Sequence, residues 1–393
     1  MTRLPSYIGP AAFGVKMGVI LPGTDLVKEI STVIERCWRD QMIDDGDVLC
    51  ITESVVARAQ NNYVTIDEIA RQIKSKLKIK SGAKIGVLFP IVSRNRFAMI
   101  LKGIARSITG GEVVVQLSYP TDEVGNHVLS SESFESLEEK GQQNGILWPD
   151  ELVDVSFTHP ITGVNYIALY QEIIEAEGAK PTIFLSNEPQ AIADFALDGL
   201  IVADIHKRHK TKELLSPLIH NVVTLQDFCS DPTEESWSEW GLLGSNMSAG
   251  EQLKLAPRNS DKVASDIQKA VKERIGKKVE VIIYGDGAYR DPTSGIYELA
   301  DPRPAFGATK GLHRFRKGFK YKYLADKYYA NGSSAAEIEE MIAAKRRKAV
   351  DDELDTEGTT PRRMEDILAS LADLVSGSAD AGTPLVIVKG FLE

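Results

Sequence analysis

The sequence predicts a mixed α/β fold with two lobes, and three observations support that class. Apolar runs of strand length alternate with amphipathic stretches of helix length. At 393 residues the chain exceeds the size at which one hydrophobic core usually stops growing. No Gly-x-Gly-x-x-Gly turn follows a strand and no glycine loop ends in Gly-Lys-Ser/Thr, which argues against a Rossmann or a P-loop fold. We therefore expect mixed sheets flanked by helices.

The first half of the chain predicts alternating strands and helices. A Gly46-Asp47 turn leads into a buried strand over 48–52, and 53–59 can form either a helix or a second turn. Residues 120–157 are polar and rich in turn residues. Hydrophobic periodicity predicts helices over 65–78, 97–108 and 162–176, and strands over 85–89, 113–117 and 182–185. This half is expected to form an N-terminal lobe, 1–240, with an insertion at 120–240.

The second half predicts a C-terminal lobe over 241–393. An amphipathic helix over 262–275 ends at Gly276 and leads into a strand over 279–283. The strongly charged block 310–357 contains a predicted helix over 335–350 and is expected to be an insertion. A last helix over 363–375 and a buried strand over 384–389 complete the prediction.

Charge and composition indicate which kinds of binding partner and which cellular compartment to expect. The formal net charge of −10 argues against non-specific binding to nucleic acid or to an anionic membrane. Three widely spaced cysteines (Cys37, Cys50 and Cys229) form neither a zinc motif nor a disulfide framework, which fits a reducing compartment. The chain shows no signal-peptide pattern at its start and no apolar run of about 20 residues. We expect a cytoplasmic protein that acts on small molecules.

The stretch 281–304 carries the strongest chemical signal. A buried strand runs into a loop in which Gly285 and Gly287 permit a sharp turn and close approach of a ligand. Asp286, Asp291 and Asp301 supply hard oxygen ligands, and Arg290 and Arg303 lie beside them, a combination that suits a polyphosphate bound with Mg²⁺. The alternative is an ordinary junction of strand and loop in which the aspartates cap turns.

Two further loops are candidate anion sites. Arg94 and Arg96 lie between a predicted strand and a predicted helix, so both guanidinium groups would lie near a helix N-terminus. A solvated basic turn is the alternative. In the loop 241–246, Ser245 and Asn246 could bind phosphate oxygens or could only close a turn.

Two basic segments carry weaker signals. His206 and His209, with Asp204, could ligate a metal, although the run 206–210 is more typical of a solvated basic face. Between Lys310 and Lys327, basic residues alternate with aromatic ones. On an acidic chain this patch suits a small polyanionic ligand better than RNA, and a plain surface face is the favoured single explanation.

These segments together resemble the family of coenzyme F420-0:L-glutamate ligase, a nucleotide-dependent γ-glutamyl ligase. The similarity lies in Gly46-Asp-Val-Leu-Cys-Ile-Thr-Glu-Ser54, in Gly241-Leu-Leu-Gly-Ser-Asn246 with Leu255-Ala-Pro-Arg-Asn-Ser260, and in Gly382-Thr-Pro-Leu-Val-Ile-Val-Lys-Gly390. It covers roughly 16–60, 241–300 and 362–391, and leaves 61–240 and 301–361 unmatched.

The resemblance implies an activity and a set of roles. A nucleotide γ-phosphate, from GTP or ATP, would activate an acceptor carboxylate as an acyl phosphate, which the amine of L-glutamate then attacks. Asp286 with Asp291 would hold Mg²⁺ or Mn²⁺, Arg290 would stabilise the transferring phosphoryl group, and a homodimer is expected. Ser245, Asn246, Gly285 and Gly287 would bind nucleotide phosphates, and Ser54, Arg94 and Arg96 would bind substrate.

Two departures from the family pattern bear on this expectation. Leu243 stands where the family has a metal-binding aspartate, and Tyr284-Gly-Asp286-Gly replaces a Thr-Asp-Thr pattern. Either Asp286, Asp291 or Asp122 rebuilds the metal site, or the activity has changed to non-catalytic binding of a nucleotide or metabolite. The acceptor is a deazaflavin coenzyme in the namesake reaction, and a folate-type polyglutamate acceptor would suit the same chemistry.

Overall fold

The apolar runs of the sequence form two five-stranded sheets in the computed structural model. The structure describes residues 4–5, 7–139, 145–152, 155–287, 289–290, 294–316, 320–347, 362–377 and 382–392. The strands are β1 (Ala11–Val15), β2 (Val48–Thr52), β3 (Tyr63–Thr65), β4 (Lys84–Leu88), β5 (Glu112–Leu117), β6 (Lys180–Leu185), β7 (Gly199–Val202), β8 (Val222–Thr224), β9 (Asn246–Met247), β10 (Gln252–Lys254), β11 (Glu280–Tyr284), β12 (Tyr289–Arg290), β13 (Tyr297–Glu298), β14 (Ala305–Ala308), β15 (Phe315–Arg316), β16 (Arg362–Arg363) and β17 (Leu385–Lys389).

Helices connect these strands. They are α1 (Leu26–Arg39), α2 (Glu53–Ala59), α3 (Ile66–Leu77), α4 (Phe97–Ser107), α5 (Ser131–Glu139), α6 (Tyr166–Ala176), α7 (Arg208–Leu215), α8 (Ser260–Ile275), α9 (Tyr321–Ala330), α10 (Ala335–Arg347) and α11 (Met364–Ala372). Local signals fix several ends. The Thr65 hydroxyl accepts the backbone N–H of Glu68 at the start of α3, and Gly276 ends α8 at φ +71°.

The first sheet, here called the mixed sheet, has the order β1-β17-β2-β11-β14. Strands β2 and β11 run parallel, with Thr52 opposite Tyr284, and the other neighbours are antiparallel. Residues of α1 and α8 pack on one face of this sheet and residues of α11 on the other. Because β2 and β11 are parallel and in register, both end at the same edge.

The second sheet, here called the parallel sheet, has the order β6-β5-β4-β7-β8 and is parallel throughout. In order of sequence this is 3-2-1-4-5, the doubly wound arrangement. Apolar residues of α3, α4 and α6 cover one face, and Ile192, Leu215 and Ile219 cover the other. The predicted mixed α/β class is confirmed. The prediction against a doubly wound sheet, which rested on the missing glycine motif, was wrong for these five strands.

The parallel sheet belongs to a middle segment, residues 63–254. This segment begins in β3 and ends in β10, and these two strands pair antiparallel, with Val64 opposite Leu253. The mixed sheet therefore takes β1 and β2 from before the middle segment and β11, β14 and β17 from after it. The strands of the mixed sheet come from sequence both before and after the predicted lobe boundary at residue 240. This is possible because strands that pair need not be neighbours in sequence.

The charged block 310–357 is only partly described. Within it, α9 and α10 pack on each other through a small cluster of their own, formed by Leu324, Ile338 and Ile342. Positions 317–319 and 348–361 lie outside the described residues. Among the described helices, none combines the length and the apolar character needed to span a bilayer.

Candidate active site

Carboxylates gather where β2 and β11 end. Glu53 directly follows β2, and Gly285, Asp286 and Gly287 directly follow β11. The turn before β14 joins them, because the backbone N–H of Gly285 donates to the carbonyl oxygen of Pro304 at 2.8 Å. The parallel pairing of the two strands thus places side chains more than 200 residues apart at one edge of the mixed sheet.

Asp301 is the buried centre of this group. It is 1% exposed, and its Oδ2 atom accepts the backbone N–H of Asp286 at 2.9 Å. A Cβ atom on Gly285 would lie 2.3 Å from the same Oδ2 atom, so a side chain at this position would displace the carboxylate. Gly285 is therefore required for the close approach of the strand end to Asp301.

Arg96 bridges two of the carboxylates. Its Nη1 atom donates to Asp301 Oδ1 at 2.9 Å and to the carbonyl oxygen of Ala300 at 3.3 Å, and its Nη2 atom donates to Asp286 Oδ2 at 2.7 Å. Arg96 precedes α4, so this guanidinium reaches from the middle segment to the edge of the mixed sheet. The planar fork of arginine suits two acceptors at once.

A buried ion pair lies beside this bridge. Lys254 Nζ, at the end of β10, donates to both carboxylate oxygens of Glu53 at 2.8 Å. Each side chain is 9% exposed. A fourth carboxylate, Asp373, follows α11 and accepts the backbone N–H of Gly287 at 2.9 Å.

Among the described residues, carboxylates outnumber cations in this cluster. The carboxylates are Glu53, Asp286, Asp301 and Asp373, and the cations are Arg96 and Lys254. Burial raises the pKa of Asp286 to about 7, and the neighbouring Asp301 adds to the rise while Arg96 opposes it. Burial also raises the pKa of Glu53 against the opposing effect of Lys254. For Arg96, burial disfavours the charge, but Asp301 and Asp286 outweigh it and raise the pKa.

The donor set fits a hard divalent cation in kind. Carboxylate oxygens are the ligands that Mg²⁺ and Mn²⁺ prefer, and an excess of carboxylates over cations favours an added positive charge. Asp286 is the accessible member, with its side chain 41% exposed. In the part of the chain that the structure describes, no three His, Cys, Asp or Glu side chains are arranged to hold a metal. Asp291, the predicted second ligand, lies outside the described residues.

The loop 241–246 lies next to the carboxylate cluster. A Cβ atom on Gly244 would lie 3.4 Å from Asp301 Oδ1, so this loop contacts the carboxylate group. The Ser245 hydroxyl is buried and donates to the carbonyl oxygen of Leu242 at 2.7 Å, which is the turn-closing role given above as the alternative. Asn246 lies in β9 opposite Lys254. Both residues predicted to bind phosphate therefore lie next to the charged cluster.

Leu243 belongs to the core rather than to the charged cluster. It is 2% exposed and lines an apolar cavity of about 20 Å³ together with Ile91 and Phe97, and Arg96 also lines this cavity. A hydrocarbon at this position can ligate no metal, so metal binding would depend on the carboxylates after β2 and β11.

The other predicted site residues lie in different settings. The glycine amides are engaged, since those of Gly285 and Gly287 donate within the protein. Ser54 and Arg94 are exposed, Ser54 in α2 beside Glu53 and Arg94 in the turn before α4. Arg290 lies in β12, with its backbone paired to Tyr297. The structure thus brings together Asp286, Arg96 and the glycines, with Ser245 and Asn246 beside them.

The alternative sites from the sequence have local roles in the structure. Asp122 accepts backbone N–H groups of Val92, Val124 and Asn126, so its oxygens hold a turn. Asp204 accepts the Thr211 hydroxyl at 2.7 Å. In the basic block, Lys320 and Lys327 lie about 6 Å from the ring centroid of Tyr323, as cation–π pairs.

Three charged residues of the cluster were absent from the predicted roles: Glu53, Lys254 and Asp373. The position of Glu53 could have been noticed in the sequence, because it is the first residue after a buried strand. Asp286 has a similar position, as the second residue after β11. Lys254 and Asp373 carried no such signal, because each enters the site through packing between elements distant in sequence.

One comparison with known proteins extends over most of the chain. The sequence model of the family described as F420-0:gamma-glutamyl ligase matches residues 14–390. No curated protein sequence matches the chain at a significant level. Among solved structures, a chain in the crystal structure of the tetrameric eIF2B-beta2-delta2 complex from C. thermophilum is similar at 12% sequence identity and a TM-score of 0.22. That alignment covers 53% of this chain and 60% of the other, less than two thirds of its length.

Proposed function

Because the chain belongs to the F420-0:gamma-glutamyl ligase family, we propose that it joins L-glutamate to a carboxylate acceptor at the expense of a nucleoside triphosphate. The observation that carries the proposal is the bridge from Arg96 to Asp286 and Asp301 at the ends of parallel strands. Such a bridge offers a cation for phosphate and carboxylates for a divalent metal in one place.

The proposed reaction has two steps. An oxygen of the acceptor carboxylate attacks the γ-phosphorus of the triphosphate, which forms an acyl phosphate and releases the nucleoside diphosphate. The amine of glutamate then attacks the acyl carbon, the C–O bond to phosphate breaks, and an amide, inorganic phosphate and a proton result. This chemistry requires positioning and neutralisation of charge more than a covalent nucleophile on the protein.

The roles of the chain follow from position and charge. Arg96 contacts both Asp286 and Asp301 and would bind phosphate or the acceptor carboxylate. Asp286 would hold Mg²⁺ or Mn²⁺ with Asp291, as the sequence predicts, and Asp301 fixes Asp286 through its backbone N–H. A bound metal would neutralise phosphate charge. Ser245 and Asn246 would bind the nucleotide phosphates, and Arg290 would stabilise the transferring phosphoryl group. The exposed residues Ser54 and Arg94 would contact the substrate.

The proposal is tested by coupling two measurements. Triphosphate hydrolysis and incorporation of radiolabelled glutamate are followed together across a panel of acceptors, with GTP or ATP and with Mg²⁺ or Mn²⁺. The expected result is incorporation that requires triphosphate, metal and an acceptor carboxylate, with one phosphate released per glutamate joined. The panel includes a deazaflavin acceptor and a folate-type acceptor. Incorporation without triphosphate would contradict the proposal.

A second candidate is non-catalytic binding of a nucleotide or metabolite. Leu243 favours it, because this buried side chain stands where the family pattern has a metal ligand. Isothermal titration with GTP and ATP separates the two candidates. Binding that needs Mg²⁺ supports the ligase, and binding that is indifferent to Mg²⁺ supports the non-catalytic protein.

A further inference from the structure

The two signs of charge in the site come from different parts of the chain. Arg96 precedes α4 and Lys254 ends β10, so both cations belong to the middle segment. Glu53, Asp286 and Asp301 belong to the edge of the mixed sheet. The contacts of Arg96 and of Lys254 therefore join the middle segment to the mixed sheet. In the absence of ligand, the cations of the middle segment balance carboxylates of the mixed sheet.

The two halves of the Arg96 bridge differ in accessibility. The side chain of Arg96 is 15% exposed, and the side chain of Asp301, which accepts Nη1, is 2% exposed. Asp286, which accepts Nη2, is 41% exposed. Asp301 also accepts the backbone N–H of Asp286, so it is held from two directions. The Asp301 half is thus a fixed structural contact, and the Asp286 half faces the solvent from which a ligand arrives.

We propose that Arg96 and a divalent cation compete for Asp286, and that the triphosphate resolves this competition by taking Nη2 of Arg96. The inference rests on the proposed function and goes beyond it, since it assigns Arg96 a second role as an occupant of the metal site. Phosphate replaces one carboxylate at the guanidinium, and the metal replaces the guanidinium at Asp286. Each charged group has a partner of opposite sign before and after the exchange, while Nη1 stays on Asp301.

The exchange makes a prediction opposite to that of a simple phosphate ligand. In the protein without nucleotide, removing Arg96 frees Asp286 and should tighten Mn²⁺ binding. The same change removes a phosphate partner and should weaken triphosphate binding. A residue that only bound phosphate would leave Mn²⁺ binding in the absence of nucleotide unchanged.

The test measures Mn²⁺ binding to the nucleotide-free protein from the electron paramagnetic resonance signal of the free ion. We expect Arg96→Gln to bind Mn²⁺ at least tenfold more tightly than the wild type and to bind GTP or ATP at least tenfold more weakly. In an Asp286→Asn background the gain from Arg96→Gln should fall below twofold. A gain that persists there would mean that loss of positive charge, and not release of Asp286, strengthens metal binding, and would overturn the inference.

Two controls keep the outcome decisive. Arg106→Gln removes an ion-paired arginine within α4, whose partners are Glu177, Glu251 and Asp67, and should leave Mn²⁺ binding unchanged. If Arg96→Gln fails to fold by circular dichroism, Arg96→Lys keeps a charge for Asp301 but lacks the fork that reaches Asp286, and should tighten Mn²⁺ binding in the same direction. Wild-type protein that binds no triphosphate with Mn²⁺ would refute the proposed function, whereas triphosphate binding with an unchanged Mn²⁺ affinity in Arg96→Gln would refute only the exchange.

Discussion

The buried pair of Lys254 and Glu53 allows a stability effect to be worked out with its pH dependence. Lys254→Met replaces the ammonium by an apolar chain of similar length and leaves the Glu53 carboxyl without its bidentate partner. Breaking a buried pair in this way typically costs about 3–5 kcal/mol, because an uncompensated charge stays buried. Glu53 is 7% exposed, so water cannot take the place of the ammonium.

Protonation limits this cost. An isolated buried carboxyl takes up a proton rather than remain charged, and doing so at pH 7 against an ordinary pKa of about 4.3 costs at most about 3.7 kcal/mol. At pH 5.5 the same limit is about 1.6 kcal/mol, since each pH unit contributes about 1.36 kcal/mol. The folded variant binds the proton more tightly than the unfolded chain does, so its stability falls as pH rises. Burial raises the pKa of Glu53 in the wild type as well, so the loss caused by Lys254→Met should shrink by at most about 2 kcal/mol between pH 7 and pH 5.5.

Urea unfolding of wild type and variant at both pH values measures the difference. Lys262→Met is the matched control, because Lys262 pairs with Asp266 on the exposed face of α8, with side chains 73% and 44% exposed. That change should cost less than about 0.5 kcal/mol at either pH. A loss of under about 1 kcal/mol at pH 7 for Lys254→Met, or a loss that does not vary with pH, would refute this account of the pair.

Three further predictions concern the carboxylate cluster. Asp286→Asn should abolish glutamate incorporation while the thermal melt changes little, since Asp286 is partly exposed and Arg96 keeps Asp301; a variant that unfolds would assign Asp286 a structural role instead. Because burial raises the pKa of Asp286 to about 7, its carboxylate forms as pH rises, so Mn²⁺ affinity should increase across neutral pH in the wild type and stay flat in Asp286→Asn; titration by electron paramagnetic resonance checks this. Gly285→Ala should lower the free energy of unfolding by roughly 1–3 kcal/mol and abolish activity, because its Cβ would lie 2.3 Å from Asp301 Oδ2. Gly9→Ala is the control, since a Cβ there would have no atom within 4 Å, and it should change neither the thermal melt nor the activity.

Local signals in the sequence were sufficient to predict many single helices and strands. They also identified Arg96 and Asp286 as candidate site residues. The strand that delivers Asp286 and the helix that follows Arg96 each had a clear apolar pattern, and each placed a charged residue at an element end. Their meeting was not predictable, because they lie 190 residues apart and the contact depends on which strands become neighbours. The pairing of Glu53 with Lys254 spans 201 residues and has the same cause.

The doubly wound order of the parallel sheet escaped prediction for a local reason. The fingerprint sought was a run of glycines after the first strand, where the backbone often adopts a positive φ. Here Phe89 adopts φ +52° directly after β4, so a bulky residue occupies the conformation that usually calls for glycine. Strand β7 has only four residues, Gly199–Val202, and a run this short offers little periodicity to detect.

The position of β17 between β1 and β2 sets an order of events during synthesis on the ribosome. The five strands of the parallel sheet are complete once residue 224 has emerged, whereas the mixed sheet must wait for residues 385–389 to enter between two strands made much earlier. Nascent chains fold the parts that are already complete, so the middle segment can form first. Arg96 and Lys254 would then stand as a prepared basic surface on which the later acidic edge, with Asp286 and Asp301, settles.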